Sequence, residues 1–178
     1  IKEKAYYKDG ILEGKFTKYY ENGKLSEEYN CTQGKLNGEY KVYYENGNFK
    51  ESGNYLDNKL EGKYLKYYEN GNIEEDYIYI QNMLNGPYKN YYEDGSLKRT
   101  GNYKNDIVDG EAIFYLEGGQ IGEKGFFING KIEGEHLFYD KTGKLIKKET
   151  YKNGNLISTE EFQKVEGGKK WRKLGLNH

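Results

Sequence analysis

The sequence has little of what most enzymes and membrane-spanning proteins need. Its 178 residues include one cysteine, one proline and two histidines, and 28 Lys plus Arg nearly balance 29 Asp plus Glu. One cysteine excludes a disulfide within the chain. No apolar run is long enough to span a membrane as a helix, and no signal peptide is present. Without a basic excess, no nucleic-acid partner is expected.

The sequence contains no recognisable arrangement of catalytic residues. His136 and His178 are the only histidines, and the sequence pairs neither with a nucleophile. There is no P-loop, no His-Glu-x-x-His and no Cys-x-x-Cys motif. Cys31 stands in a column otherwise filled by Tyr or Phe, which favours a small core residue over a reactive thiol. We therefore expect no catalytic site, no metal site and no cofactor, and read His136 as a polar capping residue.

What the sequence does have is a repeat of 24 residues without slippage. Such a period is typical of repeat proteins, in which each unit buries its apolar face against its neighbours. The repeats are counted here from one glycine each, taken as position 0: Gly14, Gly38, Gly62, Gly86, Gly110 and Gly134.

Most of the 21 tyrosines fall in a few columns of this repeat. Position +5 is always Tyr, position +9 always Gly, and position +11 always a large apolar residue. Position +6 is Tyr in the first four copies and position +2 is Tyr in the second to fourth, whereas the fifth and sixth repeats depart from the pattern. Terminal repeats are expected to be atypical because they cap the core.

The turn chemistry predicts one β-hairpin in each repeat. In Tyr-Tyr-Glu-Asn-Gly at residues 43–47, Asn-Gly suits a two-residue type I′ turn, which needs positive φ at both central positions. That turn sets position +6 opposite +11, so that Tyr44 faces Phe49. It also sets +2 opposite +15, so that the ring of Tyr40 covers Gly53.

We predict an all-β fold, an elongated single-layer stack of antiparallel β-hairpins with about six repeats. A hairpin-repeat domain is expected over residues 1–157, and a C-terminal capping hairpin or tail over residues 158–178. Gly167 keeps the +9 spacing, which favours a seventh, degenerate hairpin over 158–173. This segment contains a basic aromatic cluster around Trp171.

The strongest candidate for function is a tyrosine-rich side of the sheet. A single sheet cannot easily bury such a side alone, and Tyr supplies large contact areas at interfaces. The rings either stack on one another or contact a partner, and a homodimer through this side is one form of the second case. Leu25, Phe49, Ile73 and Leu97 are expected on the same side. The candidate partner-binding residues are Tyr40, Tyr44, Tyr64, Tyr68, Tyr88 and Tyr92.

A second candidate is a row of glutamates at position +7. Stacked hairpins would align these carboxylates along one edge, where they could collect cations or steer a basic partner. The alternative is a set of well-solvated corners that keep the chain soluble. The row consists of Glu21, Glu45, Glu69, Glu93 and Glu117.

The motif Gly-x-Tyr-x-x-Tyr-Tyr-Glu-Asn-Gly-x-Leu, followed by Tyr and then Gly-Lys-Leu-x-Gly, resembles the bacterial variant of the MORN repeat (membrane occupation and recognition nexus). Residues 40–62, 64–86 and 88–110 match best, within a similarity over about 6–157. The chain is similar to bacterial YwqK-family antitoxins. The resemblance implies binding rather than catalysis, with a protein partner that in a toxin–antitoxin system would be a toxin. Its alternative is a peripheral lipid-associating module, and a lipid-kinase label would rest on the repeat alone.

The sequence leaves the compartment open. It starts at Ile1 without a methionine, so a cytoplasmic protein and an exported one with its signal removed are both consistent with it.

Overall fold

The computed structural model describes residues 2–164 and 171–174, and these residues contain strands and turns but no helix. They divide into two compact units, one ending at Gly95 and one beginning at Ser96. The first unit holds β1 (Lys2–Lys4), β2 (Tyr7–Lys8), β3 (Ile11–Leu12), β4 (Gly14–Tyr19), β5 (Leu25–Thr32), β6 (Lys35–Leu36), β7 (Gly38–Tyr43), β8 (Phe49–Leu56), β9 (Lys59–Leu60), β10 (Gly62–Tyr67), β11 (Ile73–Ile80), β12 (Met83–Leu84) and β13 (Gly86–Tyr91).

The second unit repeats the same alternation of long and very short strands. It holds β14 (Leu97–Lys104), β15 (Ile107–Val108), β16 (Gly110–Tyr115), β17 (Ile121–Ile128), β18 (Lys131–Ile132), β19 (Gly134–Tyr139), β20 (Leu145–Lys152), β21 (Asn155–Lys164) and β22 (Trp171–Leu174). The backbones of β21 and β22 pair antiparallel, with Glu161 opposite Leu174. The predicted boundary at residue 158 stays a prediction, and Val165, Gly167, Lys169, Lys170 and His178 lie outside the described residues.

Each repeat consists of one long hairpin followed by one short one. In the second repeat β7 pairs with β8, and β8 then turns back on the two-residue strand β9. β8 also pairs with β10, the first strand of the next repeat. The strand β8 therefore has neighbours on both sides, and each unit is an antiparallel sheet of hairpins. The predicted all-β hairpin repeat is confirmed.

The long hairpin does not use the predicted two-residue turn. The Tyr44 amide donates to the Asn48 carbonyl at 2.8 Å, and the Gly47 amide donates to the Tyr44 carbonyl at 2.9 Å. Gly47 has φ of 99°, whereas Asn46 is not among the residues with positive φ. This is a three-residue loop, a type I turn closed by a left-handed glycine. Asn46 supports it by accepting the Asn48 amide at 2.8 Å.

The type I′ turn occurs instead in the short hairpin. Asp57 and Asn58 both have positive φ, 49° and 68°, and Leu56 pairs with Lys59 across them. A two-residue turn with both central residues in the left-handed region matches the twist of its flanking strands. The sequence prediction assigned this turn chemistry to the wrong connection.

The longer loop shifts the register by one residue near the turn. Tyr40 lies opposite Gly53, as predicted, but past a β-bulge Tyr43 lies opposite Phe49. The predicted Tyr44–Phe49 pair is therefore wrong, and the third repeat shows the same shift, with Tyr67 opposite Ile73. A one-residue slip moves side chains to the other side of a sheet. Phe49 consequently lies with Tyr43 and not with Tyr40.

The core of the described residues is thin, as expected for an open sheet. Among the described residues, the buried hydrophobic side chains are Cys31 (3% exposed), Tyr40 (2%) and Tyr88 (8%). Burial raises the pKa of the Cys31 thiol, which agrees with a packing role rather than a reactive one.

A candidate binding surface on the tyrosine side

One side of the first unit carries a continuous group of aromatic rings, called the tyrosine face below. The strand registers place positions +2, +15 and +17 on this side because alternate residues of a strand point the same way. The tyrosine face consists of Phe16, Tyr29, Tyr40, Tyr55, Tyr64, Tyr77, Tyr79 and Tyr88.

The rings of the tyrosine face contact one another. Tyr29 and Tyr40 stack with centroids 5.6 Å apart, and Tyr40 lies 4.8 Å from Tyr55. Tyr64 meets Tyr79 edge-on at 5.6 Å. Aromatic pairs at such separations stabilise a fold beyond the area they bury. The tyrosine face is thus ordered by contacts among its own rings.

Glycine at position +15 makes room for the most buried ring. A Cβ at Gly53 would lie 2.9 Å from Cε1 of Tyr40, which explains why a residue without a side chain stands there. Tyr40 is therefore fixed against the sheet, whereas Tyr29, Tyr55 and Tyr64 keep part of their surface open to solvent. These three rings are the ones of this group that solvent reaches.

The tyrosines at position +6 end this side at the hairpin turns. The hydroxyl of Tyr44 donates to the Tyr67 carbonyl at 2.7 Å, and that of Tyr68 donates to the Tyr91 carbonyl at 2.8 Å. Each bond joins one repeat to the next. Tyr92, also predicted as a contact residue, occupies the same column. Tyr44 comes directly after β7, which ends at Tyr43.

The apolar residues at position +11 lie on the opposite side of the sheet. Phe49 packs at 5.2 Å from Tyr43 and at 5.8 Å from Tyr67, both position +5 tyrosines. The expectation that Leu25, Phe49 and Ile73 accompany the tyrosine face is wrong, because the bulge turns them over. The sequence feature that could have predicted this side is that position +5 is always Tyr and position +11 always a large apolar residue.

A row of charged side chains lies on the same side of the sheet, next to the rings of the tyrosine face. Lys18 lies opposite Glu27, with Nζ and Oε2 2.8 Å apart. Lys66 Nζ lies 3.0 Å from Glu74 and 3.8 Å from Glu75. Burial raises the pKa of the Glu75 carboxyl, although the Lys66 charge opposes this. The carboxylate of Glu51 belongs to the same row.

The glutamates at position +7 are exposed at the hairpin turns, so their carboxylates are solvated. Their backbone carbonyls bind the repeat before: the Glu69 oxygen accepts the side-chain amides of Asn46 and Asn48, both at 2.9 Å. These glutamates thus help to join the repeats through their backbone carbonyls. The contacts do not involve their carboxylates.

The short hairpins form a second ladder between repeats. The Asn58 amide donates to the Leu36 carbonyl, and the Leu36 amide donates in return to Oδ1 of Asn58 at 2.7 Å. Asn82 makes the same exchange with Leu60. Where glycine fills this position, as at Gly34, only the backbone half of the exchange is present.

In the second unit His136 replaces the position +2 aromatic. Its ring lies 4.3 Å from Phe138, and its Nε2 lies 3.6 Å from Glu123. A Cβ at Gly125 would come within 3.2 Å of the ring, so the imidazole covers a glycine as Tyr40 does. His136 therefore packs on the sheet as the position +2 rings of the first unit do.

Neither a metal site nor a membrane-spanning helix emerges from the part of the chain that the structure describes. No three His, Cys, Asp or Glu side chains within it are grouped so as to hold a metal ion. None of its segments is a helix of the length and hydropathy that crossing a bilayer requires.

Stacked hairpins, bulge glycines and inter-repeat ladders define a β-hairpin repeat protein. The family model described as the MORN repeat variant matches residues 12–30, 36–57, 60–81, 84–105 and 132–153. The chain belongs to the MORN repeat variant family. No curated protein matches it.

The fifth repeat falls between the matched segments, yet it keeps the same fold. Its strands β16 and β17 have the lengths of their counterparts β7 and β8, and the same bulge follows Phe114. Leu116 replaces the position +6 tyrosine, but its amide still bonds to Gln120 across the turn at 2.8 Å. Backbone geometry is retained where the side-chain pattern has diverged.

Proposed function

We propose that the protein is a non-catalytic scaffold that binds a protein partner through the tyrosine face. The observation that carries the proposal is a set of half-buried rings, Tyr29, Tyr55 and Tyr64, held in place by contacts with their neighbours. Pre-ordered aromatic side chains lose little conformational freedom on binding and dominate many interfaces. Of the six tyrosines predicted as contact residues, Tyr64 is one of these rings, whereas Tyr40 and Tyr88 are buried.

The resemblance to YwqK-family antitoxins gives the proposal a particular form, in which the partner is a toxin that the scaffold neutralises. This form rests on the sequence motif, as does the bacterial origin. Membrane association and a second copy of the chain are the competing occupants. The near balance of acidic and basic residues favours a protein over an anionic bilayer.

Site-specific photo-crosslinking tests which side binds. A benzophenone-bearing phenylalanine replaces Tyr55 on the tyrosine face or Phe49 on the opposite side, and each protein is irradiated in lysate of the source organism. Phe49 is the matched control because it is aromatic and 40% exposed in the same strand β8. Circular dichroism verifies that both variants keep the sheet.

A crosslinked product with a different protein, formed when the benzophenone replaces Tyr55 but not when it replaces Phe49, supports the proposal. Equal capture from both sides, or none from either, contradicts it. A product with twice the chain mass identifies a homodimer, and retention on anionic vesicles in place of protein capture identifies the lipid-binding alternative.

A further inference from the structure

Glu51 lacks the counterion that its equivalents have. In the first repeat Lys18 lies opposite Glu27 in the β4–β5 register, and the two form an ion pair. In the third repeat Lys66 lies opposite Glu75 and is also paired with it. In the second repeat Val42 lies opposite Glu51. Valine thus stands where the neighbouring repeats place lysine.

The strand on the other side does not compensate for this. Lys66 lies opposite Glu51 in the β8–β10 register, but its Nζ is already shared by Glu74 and Glu75. Within residues 2–164, no ammonium, imidazole or guanidinium nitrogen lies at ion-pair distance from the Glu51 carboxylate. The carboxylate accepts one hydrogen bond, a long one of 3.4 Å from the Tyr64 hydroxyl.

The strand registers place this unpaired carboxylate on the same side of the sheet as the rings of Tyr40, Tyr55 and Tyr64. Burial raises the pKa of the Tyr40, Tyr55 and Tyr64 hydroxyls, and in each case the next cause is the negative charge of Glu51. Of these three hydroxyls, that of Tyr64 lies at hydrogen-bond distance from the Glu51 carboxylate. Glu51 itself is half-buried, so a group from solvent can reach it. A carboxylate beside aromatic rings offers a cation both an ion pair and a ring face.

We propose that Glu51 and the rings of Tyr55 and Tyr64 receive an arginine side chain of the protein partner. A guanidinium fits better than an ammonium because its plane stacks on aromatic rings while its N–H groups bind a carboxylate bidentately. The inference rests on the proposed function and narrows it, since the partner then presents an arginine-bearing segment. The position left open by Val42 is the one that this cation fills.

The test uses the peptide acetyl-Gly-Arg-Gly-amide and its citrulline counterpart, which has nearly the same shape but no charge. Binding is followed by NMR on protein with ¹³C-labelled Glu and Tyr. We expect the arginine peptide to shift the Glu51 carboxyl signal and the ring signals of Tyr55 and Tyr64, and the citrulline peptide to shift them little. Glu51→Gln should weaken arginine binding about tenfold, as expected for a lost charge-assisted hydrogen bond.

Val42→Lys is the decisive variant because it restores the lysine of the first and third repeats. Its ammonium should pair with Glu51, leave the fold intact and weaken arginine-peptide binding about tenfold. Glu69→Gln is the control, since it removes one negative charge from an exposed turn residue outside the tyrosine face. It should bind as the wild type does.

Shifts that are equal for the two peptides, or that survive Glu51→Gln and Val42→Lys, overturn the inference. The proposed function has a separate outcome. If a partner is crosslinked at Tyr55 and binds Val42→Lys as tightly as wild type, the proposed scaffold function is supported. The proposal that an arginine of the partner binds Glu51 is then wrong.

Discussion

The hydroxyl of Tyr44 donates a hydrogen bond to the backbone carbonyl of Tyr67, 23 residues further along the chain. Tyr20 and Tyr68 make the same bond to Tyr43 and Tyr91. Each bond runs from one hairpin turn to the start of the next, so it links repeats independently of the strand ladders. The tyrosines at position +6 therefore join consecutive repeats through hydrogen bonds as well as contributing to the surface.

Tyr44→Phe should lower the free energy of unfolding by about 1 kcal/mol, because it removes this hydrogen bond and keeps the ring. Urea denaturation followed by circular dichroism measures the change. Tyr55→Phe is the control, since no hydrogen bond of the Tyr55 hydroxyl occurs within the described residues. An equal loss in both variants would show that the bond to Tyr67 contributes nothing.

Gly53→Ala should destabilise the protein by about 1–3 kcal/mol, the usual range for overpacking. The new Cβ would meet Tyr40 at 2.9 Å, and Tyr40 cannot swing away because Tyr29 and Tyr55 pack against it. In a Tyr40→Ala background the same change should cost less than about 0.5 kcal/mol, since the two sites then no longer interact. The double-mutant cycle uses the same denaturation measurement, and independent effects would refute the steric explanation.

Asn58→Gly should cost about 1 kcal/mol, a typical hydrogen-bond contribution. Glycine tolerates the positive φ and keeps the amide bond to Leu36, but it loses the side-chain oxygen that accepts the Leu36 amide. Asn58→Asp retains that acceptor and should stay near wild type in urea denaturation at pH 7. If Asp proved as unstable as Gly, the side-chain half of the exchange would have no energetic role.

Alkaline pH should unfold the protein more readily than its charge balance suggests. Burial raises the pKa of the Tyr29, Tyr40 and Tyr64 hydroxyls, with nearby carboxylates adding to the effect. Below about pH 10 the phenols are protonated in both states, so this contribution to stability is constant. Above it the unfolded chain releases these protons more readily, and stability falls as the pH rises.

Urea midpoints between pH 8 and 11 measure this loss, together with phenolate absorbance at 295 nm. Part of the phenolate signal should appear together with unfolding rather than before it. A smooth titration of all tyrosines in a still-folded protein would contradict the prediction.

The period and the strands could be predicted from the sequence because columns +5 and +9 are invariant. The Tyr40–Gly53 contact could be predicted because the register sets position +2 opposite position +15. The turn type could not, since Asn-Gly serves a two-residue turn and a three-residue loop equally well. The choice depends on Asn46, whose side chain accepts the Asn48 amide and donates to Glu69 of the next repeat. That contact exists only once the repeats are stacked.

The side of the sheet on which Phe49 lies depended on the same choice. One residue more in the loop creates the bulge, and the bulge moves Phe49 next to Tyr43. Glu51 was missed for another reason: no rule singles out a glutamate in a charged sequence. Glu51 stands out only by comparison with Lys18 and Lys66 in the neighbouring repeats. That comparison needs the strand registers, which show that position +4 (Lys18, Val42, Lys66) lies opposite the glutamate.

The exchange between Asn58 and Leu36 recurs between Asn82 and Leu60, so a repeat offers the next one the same atoms that it takes from the one before. Excision of one whole repeat, such as residues 38–61, would bring together surfaces that already fit. Recombination within the gene can therefore lengthen or shorten the aromatic surface by whole repeats without inventing a new contact. The extent of the tyrosine face can thus vary in steps of 24 residues while the contacts between one repeat and the next stay the same.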